Sequence, residues 1–167
     1  QRPDLRITAV RGNVDTRIKK LQSGEFDGII LAAAGLERLG LQQHITGYLP
    51  LSDFLPAPGQ GILAVQAPVH SVFQEIWSAT DDPAVRLQAE CERSFSRAIG
   101  ATCRSAAGCL LEVNSAEVRF SATVLSADGA AGFSEGLTGL VKDAPTLVYE
   151  VAQRLLDQGC RDLLDAR

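Results

Sequence analysis

Residues 98–108 read AIGATCRSAAG, and they separate two different patterns of apolar side chains. Up to Gly100 the apolar residues recur at helical spacing, whereas after Gly108 they alternate with polar residues, as in β-strands. The stretch between them is predicted to be a loop that carries Cys103 beside Arg104. Such a loop holds a thiol between two packed elements and within reach of solvent, which suits a covalently attached group. A lone cysteine in a loop of this composition is nevertheless more often present only as a small side chain without a function.

The elements around this loop predict a small α+β domain with a three-stranded antiparallel sheet. The preceding helix begins at Pro83, with Asp81 or Asp82 as its cap, and ends at Gly100. Its charged side chains are expected to be solvated; they are Glu90, Glu92, Arg93 and Arg97. The later elements are predicted as strands over 110–113, 117–124 and 132–140 and a last helix from Ala144 to Asp157, capped by Asp143.

The first half of the chain predicts a βαβ unit of an α/β fold. Leu5–Val10 is typical of a buried strand, and a helix follows from Val14 to Ser23 with Asn13 or Asp15 as its cap. The apolar run Asp27–Gly35 is predicted to be a second strand, parallel to the first and covered on both faces.

Two arginines lie at the same predicted sheet edge of this unit, and a third lies near the start of its helix. Arg11 and Arg38 follow the carboxyl ends of the two strands, and Arg17 lies one turn into the helix. Open α/β sheets bind ligands at that edge, and a guanidinium can hold a carboxylate or a phosphate through two hydrogen bonds. The pattern therefore favours an anion site. Taken alone, however, Arg11 or Arg17 is explained about equally well as a solvated surface residue.

A proline-rich passage from Tyr48 to Gly61 is predicted to be a linker, and Pro-Gly-Gln-Gly at residues 58–61 is either a hinge or a simple turn. A short strand over 62–66 and a helix over 69–79 follow it. Because the pattern changes from α/β to α+β, a domain boundary is predicted between Ala67 and Asp82.

Composition excludes several functions. The 167 residues carry a net charge of -4, and no basic cluster is longer than Lys19-Lys20, so nucleic acid is not an expected partner. No apolar run approaches the ~20 residues of a membrane span. The four cysteines lack CxxC spacing, and no metal site is expected. Because the sequence shows no secretory signal, we interpret the cysteines as reduced thiols of a cytoplasmic protein, and we expect structural roles for Cys91, Cys109 and Cys160.

The start of the sequence indicates a piece of a longer protein. The chain contains no methionine, and the strand pattern Leu5–Val10 begins almost at once. We therefore expect a C-terminal fragment.

Four stretches, in this order, resemble the hydroxymethylbilane synthase family, also called porphobilinogen deaminases. They are VRGNVDTR at residues 10–17, ILAAAGLERLG at 30–40, LPAPGQG at 55–61, and ERSF at 92–95 running into the 100–108 loop. The first three are specific as an ordered set, and the resemblance spans nearly the whole chain.

The resemblance implies a covalent dipyrromethane cofactor, attached by a thioether to Cys103. It also implies stepwise addition of porphobilinogen to this primer, with release of ammonia, to give hydroxymethylbilane in porphyrin and heme biosynthesis. Arg11, Arg17 and Arg38 match family arginines that bind the acetate and propionate groups of cofactor and substrate. Each buried carboxylate needs such a cationic partner.

The same resemblance implies a domain layout with a missing part. Residues 1–55 correspond to half of a second, periplasmic-binding-protein-like α/β domain, 56–81 to a hinge and crossover that belongs to the first, and 82–167 to the α+β domain with the cofactor cysteine. The family's catalytic aspartate lies in the missing N-terminal portion, which is an implied partner of this chain within an expected monomer. Asp53, Asp81 and Asp82 are not expected to replace it, so no catalytic residue is predicted here.

The cysteine loop departs from the family pattern. Ala101-Thr102 stands where the family usually has two glycines, and residues 104–106 read Arg-Ser-Ala in place of Gln-Val-Pro. Loss of the proline is expected to loosen the loop, and Arg104 adds a positive charge beside the thiol.

Two other functions fit parts of the sequence. A βαβ unit with arginines at its strand ends also suits a small-anion-binding module of the two-lobed periplasmic type. Alternatively, the chain is a partly folded fragment that has no activity of its own.

Overall fold

The computed structural model describes Arg2 and residues 4–165. The chain divides into two compact units, Gln1–Tyr48 and Leu49–Arg167, and each is described by itself. In the described part of the chain, no helix combines the length and the apolar character that crossing a bilayer requires.

The first unit contains two short helices, α1 (Val14–Gln22) and α2 (Ala33–Arg38), followed by a 3₁₀ turn at Gln42–His44. Helix α1 begins at the predicted residue, and Asn13 rather than Asp15 is its cap. The Asn13 side chain accepts a hydrogen bond from the backbone N–H of Thr16 at 2.9 Å, which satisfies one of the free donors of the first turn.

The strands predicted in the first half are wrong. Neither Leu5–Val10 nor Asp27–Gly35 belongs to a sheet in the described residues, and the side chains of Ile7 and Ile30 are 92% and 75% exposed. A strand needs a neighbouring strand for its N–H and C=O groups, and the three strands of the described chain pair only with one another. The βαβ unit is therefore absent, and the periplasmic-binding-protein-like architecture is not confirmed.

Two predictions fail in the middle of the chain for related reasons. The strand expected over 62–66 is not formed, and the helix expected over 69–79 is reduced to α3 (Gln74–Ser78). Val69 and Val72 are exposed, so no packing offsets the low helix propensity of β-branched residues.

The second unit contains the helices and antiparallel strands of the predicted α+β domain, and the bounds of these elements match the predicted ones closely. Its elements are α4 (Pro83–Ile99), β1 (Ala107–Asn114), β2 (Glu117–Leu125), β3 (Gly132–Leu140), α5 (Ala144–Asp157) and α6 (Cys160–Asp165). Asp82 caps α4, and Gly100 ends it with a left-handed φ of 75°. Helix α6 was not predicted, because its six residues are too few to show a period.

The sheet is antiparallel with the order β1-β2-β3. Alternate residues of β2 are buried, from Val118 to Val124, and α4 and α5 pack against the sheet. Phe95 of α4 meets Phe120 of β2 edge to face, with ring centroids 5.5 Å apart. This core fixes both ends of the loop that carries Cys103, since α4 ends at Ile99 and β1 begins at Ala107.

Candidate functional site

Cys103 lies at the tip of a tight turn between α4 and β1. After Gly100, the backbone N–H of Ala101 returns to the carbonyl of Ser96 at 2.9 Å, which closes the helix end. The next turn is closed by a hydrogen bond from the Ser105 N–H to the Thr102 carbonyl at 3.1 Å. Cys103 is the second residue of this turn and is exposed.

Side chains within the turn replace part of the constraint that a proline would give. The hydroxyl of Ser105 accepts from the Thr102 N–H at 2.9 Å, and the hydroxyl of Thr102 accepts from the Arg104 N–H at 3.3 Å. These bonds hold the backbone on both sides of Cys103. These bonds oppose the loosening of the loop that loss of the proline is expected to cause. That loosening stays a prediction.

A cavity of about 450 Å³ opens beside the thiol. One side is formed by Ala57 and Pro58 from the proline-rich segment, and the other by the end of α4 and the cysteine turn. Its lining side chains are small and uncharged: Ala57, Pro58, Ser96, Ala101, Thr102, Cys103, Ser105 and Ala107. We call this space the Cys103 cavity; it offers room for flat rings but no cation among its lining residues.

Glu92 is not solvated, so the sequence-based prediction for this residue is wrong. Its side chain is 1% exposed. Carboxylate Oε2 accepts from the Gly59 N–H at 2.7 Å, while Oε1 accepts from Gln88 Nε2 at 2.9 Å and from the Leu111 N–H at 3.3 Å. A buried carboxylate is tolerated when such donors replace water. Glu92 therefore joins α4 to the proline-rich segment and to β1.

The position of Glu92 in the sequence contains a signal that could have revealed its burial. Phe95 and Ile99 are buried on α4, and Glu92 lies at helical spacing from both. Its hydrogen-bond partners Gly59 and Leu111 are distant in sequence and carry no such signal.

The proline-rich segment also approaches β1 directly. The Cys109 N–H donates to the Pro56 carbonyl at 2.9 Å. A Cβ atom on Gly108 would lie 2.7 Å from the Leu55 carbonyl oxygen, closer than real contacts allow. Glycine at position 108 is thus required for this close approach, a role that the sequence alone did not reveal.

The four cysteines differ sharply in their surroundings. Cys91, Cys109 and Cys160 are buried, as predicted for structural residues, and Cys103 alone is exposed. Burial raises the pKa of all three buried thiols. The rise in pKa is large for Cys109, where burial is the main cause and the negative charge of Glu92 adds to it. Cys103 is therefore the cysteine that a reagent in solution can reach without opening the core.

The predicted arginines lie in the first unit, whereas Cys103 lies in the second. Arg11 and Arg38 are exposed, and Arg38 is the last residue of α2. Arg17 is half-buried, and its Nε donates to the Gly12 carbonyl at 2.8 Å. In the described residues its two terminal nitrogens have no protein partner, so this edge of the guanidinium remains available to an anion.

Gly12 makes the path of Arg17 possible. Its φ is +122°, a conformation that side chains disfavour, and a Cβ there would lie 3.0 Å from Thr16 Cγ2. The Gly12-Asn13 pair thus both caps α1 and supplies the carbonyl that orients Arg17.

The remaining aspartates singled out from the sequence have local partners. Asp82 Oδ1 accepts from the Ala84 N–H at 2.9 Å as the cap of α4, and Asp81 pairs with Arg86 at 2.5 Å. Asp53 accepts from the Ser52 hydroxyl at 3.0 Å in an exposed position. The residues that the structure describes contain no group of three or more His, Cys, Asp or Glu side chains arranged to hold a metal ion.

The known proteins that this chain resembles belong to one class of enzyme, the porphobilinogen deaminases. Residues 1–71 match the family model described as "Porphobilinogen deaminase, dipyromethane cofactor binding domain". Over 98% of its length, the chain is 39% identical to Porphobilinogen deaminase of Thermus thermophilus and 37% identical to that of Syntrophobacter fumaroxidans, covering 55% and 53% of those proteins. It is 40% identical to the Exiguobacterium sibiricum protein of the same name, of which it covers 53%.

The chain is therefore similar to the porphobilinogen deaminase family over nearly its whole length. It spans about half the length of the curated relatives it matches. The segment matched by the family model contains Arg11, Arg17 and Arg38 and ends before Cys103, whereas the alignments with the relatives cover 98% of the chain.

Proposed function

We propose that this chain forms the part of a hydroxymethylbilane synthase that carries the covalent dipyrromethane cofactor, on Cys103. The enzyme condenses porphobilinogen stepwise, releases ammonia and gives hydroxymethylbilane for tetrapyrrole biosynthesis. One observation carries the proposal: in a chain similar to the porphobilinogen deaminase family, Cys103 is exposed at the tip of a closed turn beside a cavity.

The Cys103 cavity fits the aromatic part of such a group. A dipyrromethane consists of two flat pyrrole rings, and the small uncharged side chains around the cavity leave space for them without burying a charge. When attached, the group supplies the primer to which porphobilinogen units are added.

The residues of this chain hold rather than transform the substrate in this proposal. Cys103 Sγ forms the thioether, and the Thr102–Ser105 hydrogen bonds keep it at the rim of the cavity. Arg11, Arg17 and Arg38 bind carboxylates of the cofactor and of the growing oligopyrrole. A guanidinium provides paired N–H donors in the geometry that a carboxylate accepts.

Proton transfer is not assigned to any residue of this chain. Asp81 and Asp82 already have local partners, and Asp53 is exposed. We therefore propose that the 167 residues alone are inactive, with residues 1–55, 56–81 and 82–167 contributing to three different parts of the enzyme. Measurable ammonia release from porphobilinogen by this chain alone would contradict that part of the proposal.

Intact-mass spectrometry of the protein at its full natural length tests the cofactor assignment. We expect a mass above that of the bare polypeptide by one dipyrromethane, and loss of this increment in Cys103→Ser. Thr102→Ser is the matched control, because it keeps a hydroxyl in the same turn and is expected to retain the increment. A bare polypeptide mass, or an increment that survives Cys103→Ser, would refute the assignment.

A small-anion-binding module remains the second candidate, favoured by the free edge of the Arg17 guanidinium. Calorimetric titration separates the two functions. Binding of porphobilinogen but not of phosphate or sulfate supports the synthase, whereas binding of simple oxyanions with no preference for porphobilinogen supports the module.

A further inference from the structure

We propose that Glu92 is a positioning residue that holds the Ala57–Pro58 side of the Cys103 cavity in place. This inference deepens the proposed function, on which it rests for the identity of the group that the cavity receives. The claim that Glu92 holds this side of the cavity in place depends only on contacts within the second unit.

The Ala57–Pro58 side is fastened at both of its flanks. On one flank the Pro56 carbonyl accepts from the Cys109 N–H at 2.9 Å. On the other flank the Gly59 N–H donates to Glu92 Oε2 at 2.7 Å, and this is a short, charge-assisted bond. Ala57 and Pro58 lie between these two bonds, so they cannot move far while both are intact.

Glu92 is well suited to act as a fixed anchor. It lies on α4, whose apolar face is buried in the core, and its other carboxylate oxygen is held by Gln88 and Leu111. All three partners are N–H donors, so the site accepts a carboxylate with two acceptor oxygens. A glutamine cannot replace it, because its NH₂ group must then face at least one of these donors.

The neighbouring segment has no comparable support. Leu63, Val65 and Val72 are 82%, 58% and 91% exposed, so little apolar packing holds the chain beyond Gly61. Support for the cavity side therefore comes from its upstream contacts with β1 and from the bond between Gly59 and Glu92.

Glu92→Gln tests this role through the reactivity of Cys103, without any cofactor. The rates of alkylation by iodoacetamide and by a bulky aryl maleimide are measured, together with hydrogen exchange at the Gly59 amide. We expect Gly59 exchange to rise about tenfold or more, since a hydrogen bond to a charged group is lost. The ratio of the maleimide rate to the iodoacetamide rate at Cys103 rises by about threefold or more as the cavity side is released.

Two controls separate positioning from general damage. Glu90→Gln changes an exposed glutamate on the same helix and is expected to leave both measurements at their original values. The buried thiols of Cys91, Cys109 and Cys160 report unfolding, because they become reactive only when the core opens. A shift at Cys103 with these three still protected supports the proposal.

An unchanged rate ratio at Cys103 in a folded Glu92→Gln protein overturns it. If that variant labels all four cysteines, Gln88→Ala decides instead, since it removes one donor from Oε1 and leaves the Glu92 carboxylate in place. A smaller shift of the rate ratio in the same direction supports the proposal, and no shift contradicts it. Cofactor loss in Cys103→Ser is independent of this outcome, so failure of the positioning role and failure of the proposed function are distinguishable.

Discussion

The region from α4 to α6 buries a continuous apolar core, whereas the first unit buries only two apolar side chains among its described residues, Ile18 and Leu36. Both regions contain apolar runs that read as strands. In the region from α4 to α6, consecutive strands pair across short turns. Asn114 at the end of β1, for example, pairs with Glu117 at the start of β2. In the described residues of the first unit, these runs pair with no strand. The difference shows that a strand pattern forms a strand only where another strand is available to pair with it.

The largest expected effect lies in the core of the region from α4 to α6. Phe95→Ala removes a side chain with 0% exposure that packs on Phe120. We expect a loss of about 3–5 kcal/mol in the free energy of unfolding, because a large cavity is left behind. Denaturant unfolding followed by circular dichroism measures it.

Val72→Ala is the matched change outside the core, since Val72 is 91% exposed. We expect it to change the free energy of unfolding by less than about 0.5 kcal/mol. A comparable loss in both variants would show that the segment before α4 contributes a core of its own, and the contrast between the regions would then fail.

A second prediction concerns the contact between the proline-rich segment and β1. Gly108→Ala places a Cβ 2.7 Å from the Leu55 carbonyl, and backbone atoms cannot move aside as easily as a flexible side chain. We expect a loss of about 1–3 kcal/mol in the free energy of unfolding, measured by the same denaturant method.

Gly35→Ala in α2 sharpens this comparison, because nothing lies within 4 Å of its added Cβ. In a helix the change from glycine to alanine is expected to stabilise by about 0.5–1 kcal/mol. Equal destabilisation in both variants would contradict the proposed close packing at Gly108.

The sequence predicts the helices and strands of the core well, and the long-range contacts of the loops poorly. The bounds of α4, the three antiparallel strands and α5 follow from period and caps, because each of these elements finds its partner nearby. The cysteine turn and Asn13 cap also follow from local chemistry. The close approach at Gly108 and the hydrogen bond from Gly59 to Glu92 depend on a segment that is distant in sequence, and such contacts leave no local pattern. The burial of Glu92 itself does have a local signal, which is its helical spacing from Phe95 and Ile99.

A third prediction uses the buried thiols of the core. Burial and the charge of Glu92 raise the pKa of Cys109 above its ordinary value of 9.0. Below about pH 9 both folded and unfolded states keep this proton, so stability does not depend on it. Above that pH the unfolded state loses the proton and the folded state retains it, and stability falls by up to about 1.4 kcal/mol per pH unit for this thiol.

Cys109→Ala is expected to make the fall in stability between pH 9 and pH 11 less steep, whatever its effect at neutral pH. Urea unfolding at a series of pH values provides the slope. Cys103→Ala is the matched control, because it removes an exposed thiol and leaves the three buried thiols in place. Identical slopes in the wild type and in Cys109→Ala would contradict the effect of burial on the Cys109 thiol.

The smallest effect is expected for a change in ligand affinity at Arg17 in the first unit. It tests whether a unit with little buried apolar surface can still hold an arginine side chain ready to bind an anion. Arg17 is held by its Nε bond to the Gly12 carbonyl, and among the described residues its terminal nitrogens have no partner that would compete with a carboxylate. Arg17→Lys keeps the charge and loses the paired donors, so we expect porphobilinogen to bind about three- to tenfold more weakly. Arg6→Lys is the control, because Arg6 is exposed in the same unit and was not assigned to the site.

Isothermal titration of both variants with porphobilinogen measures the difference, and phosphate serves as a ligand without the pyrrole ring. If Arg17 acts only as a charge, Arg17→Lys will bind as the wild type does, because lysine preserves that charge. A selective loss of porphobilinogen binding in Arg17→Lys would show instead that Gly12 and Asn13 shape a site for paired hydrogen bonds. Local backbone chemistry at the start of α1 would then prepare this site even where no sheet forms around it.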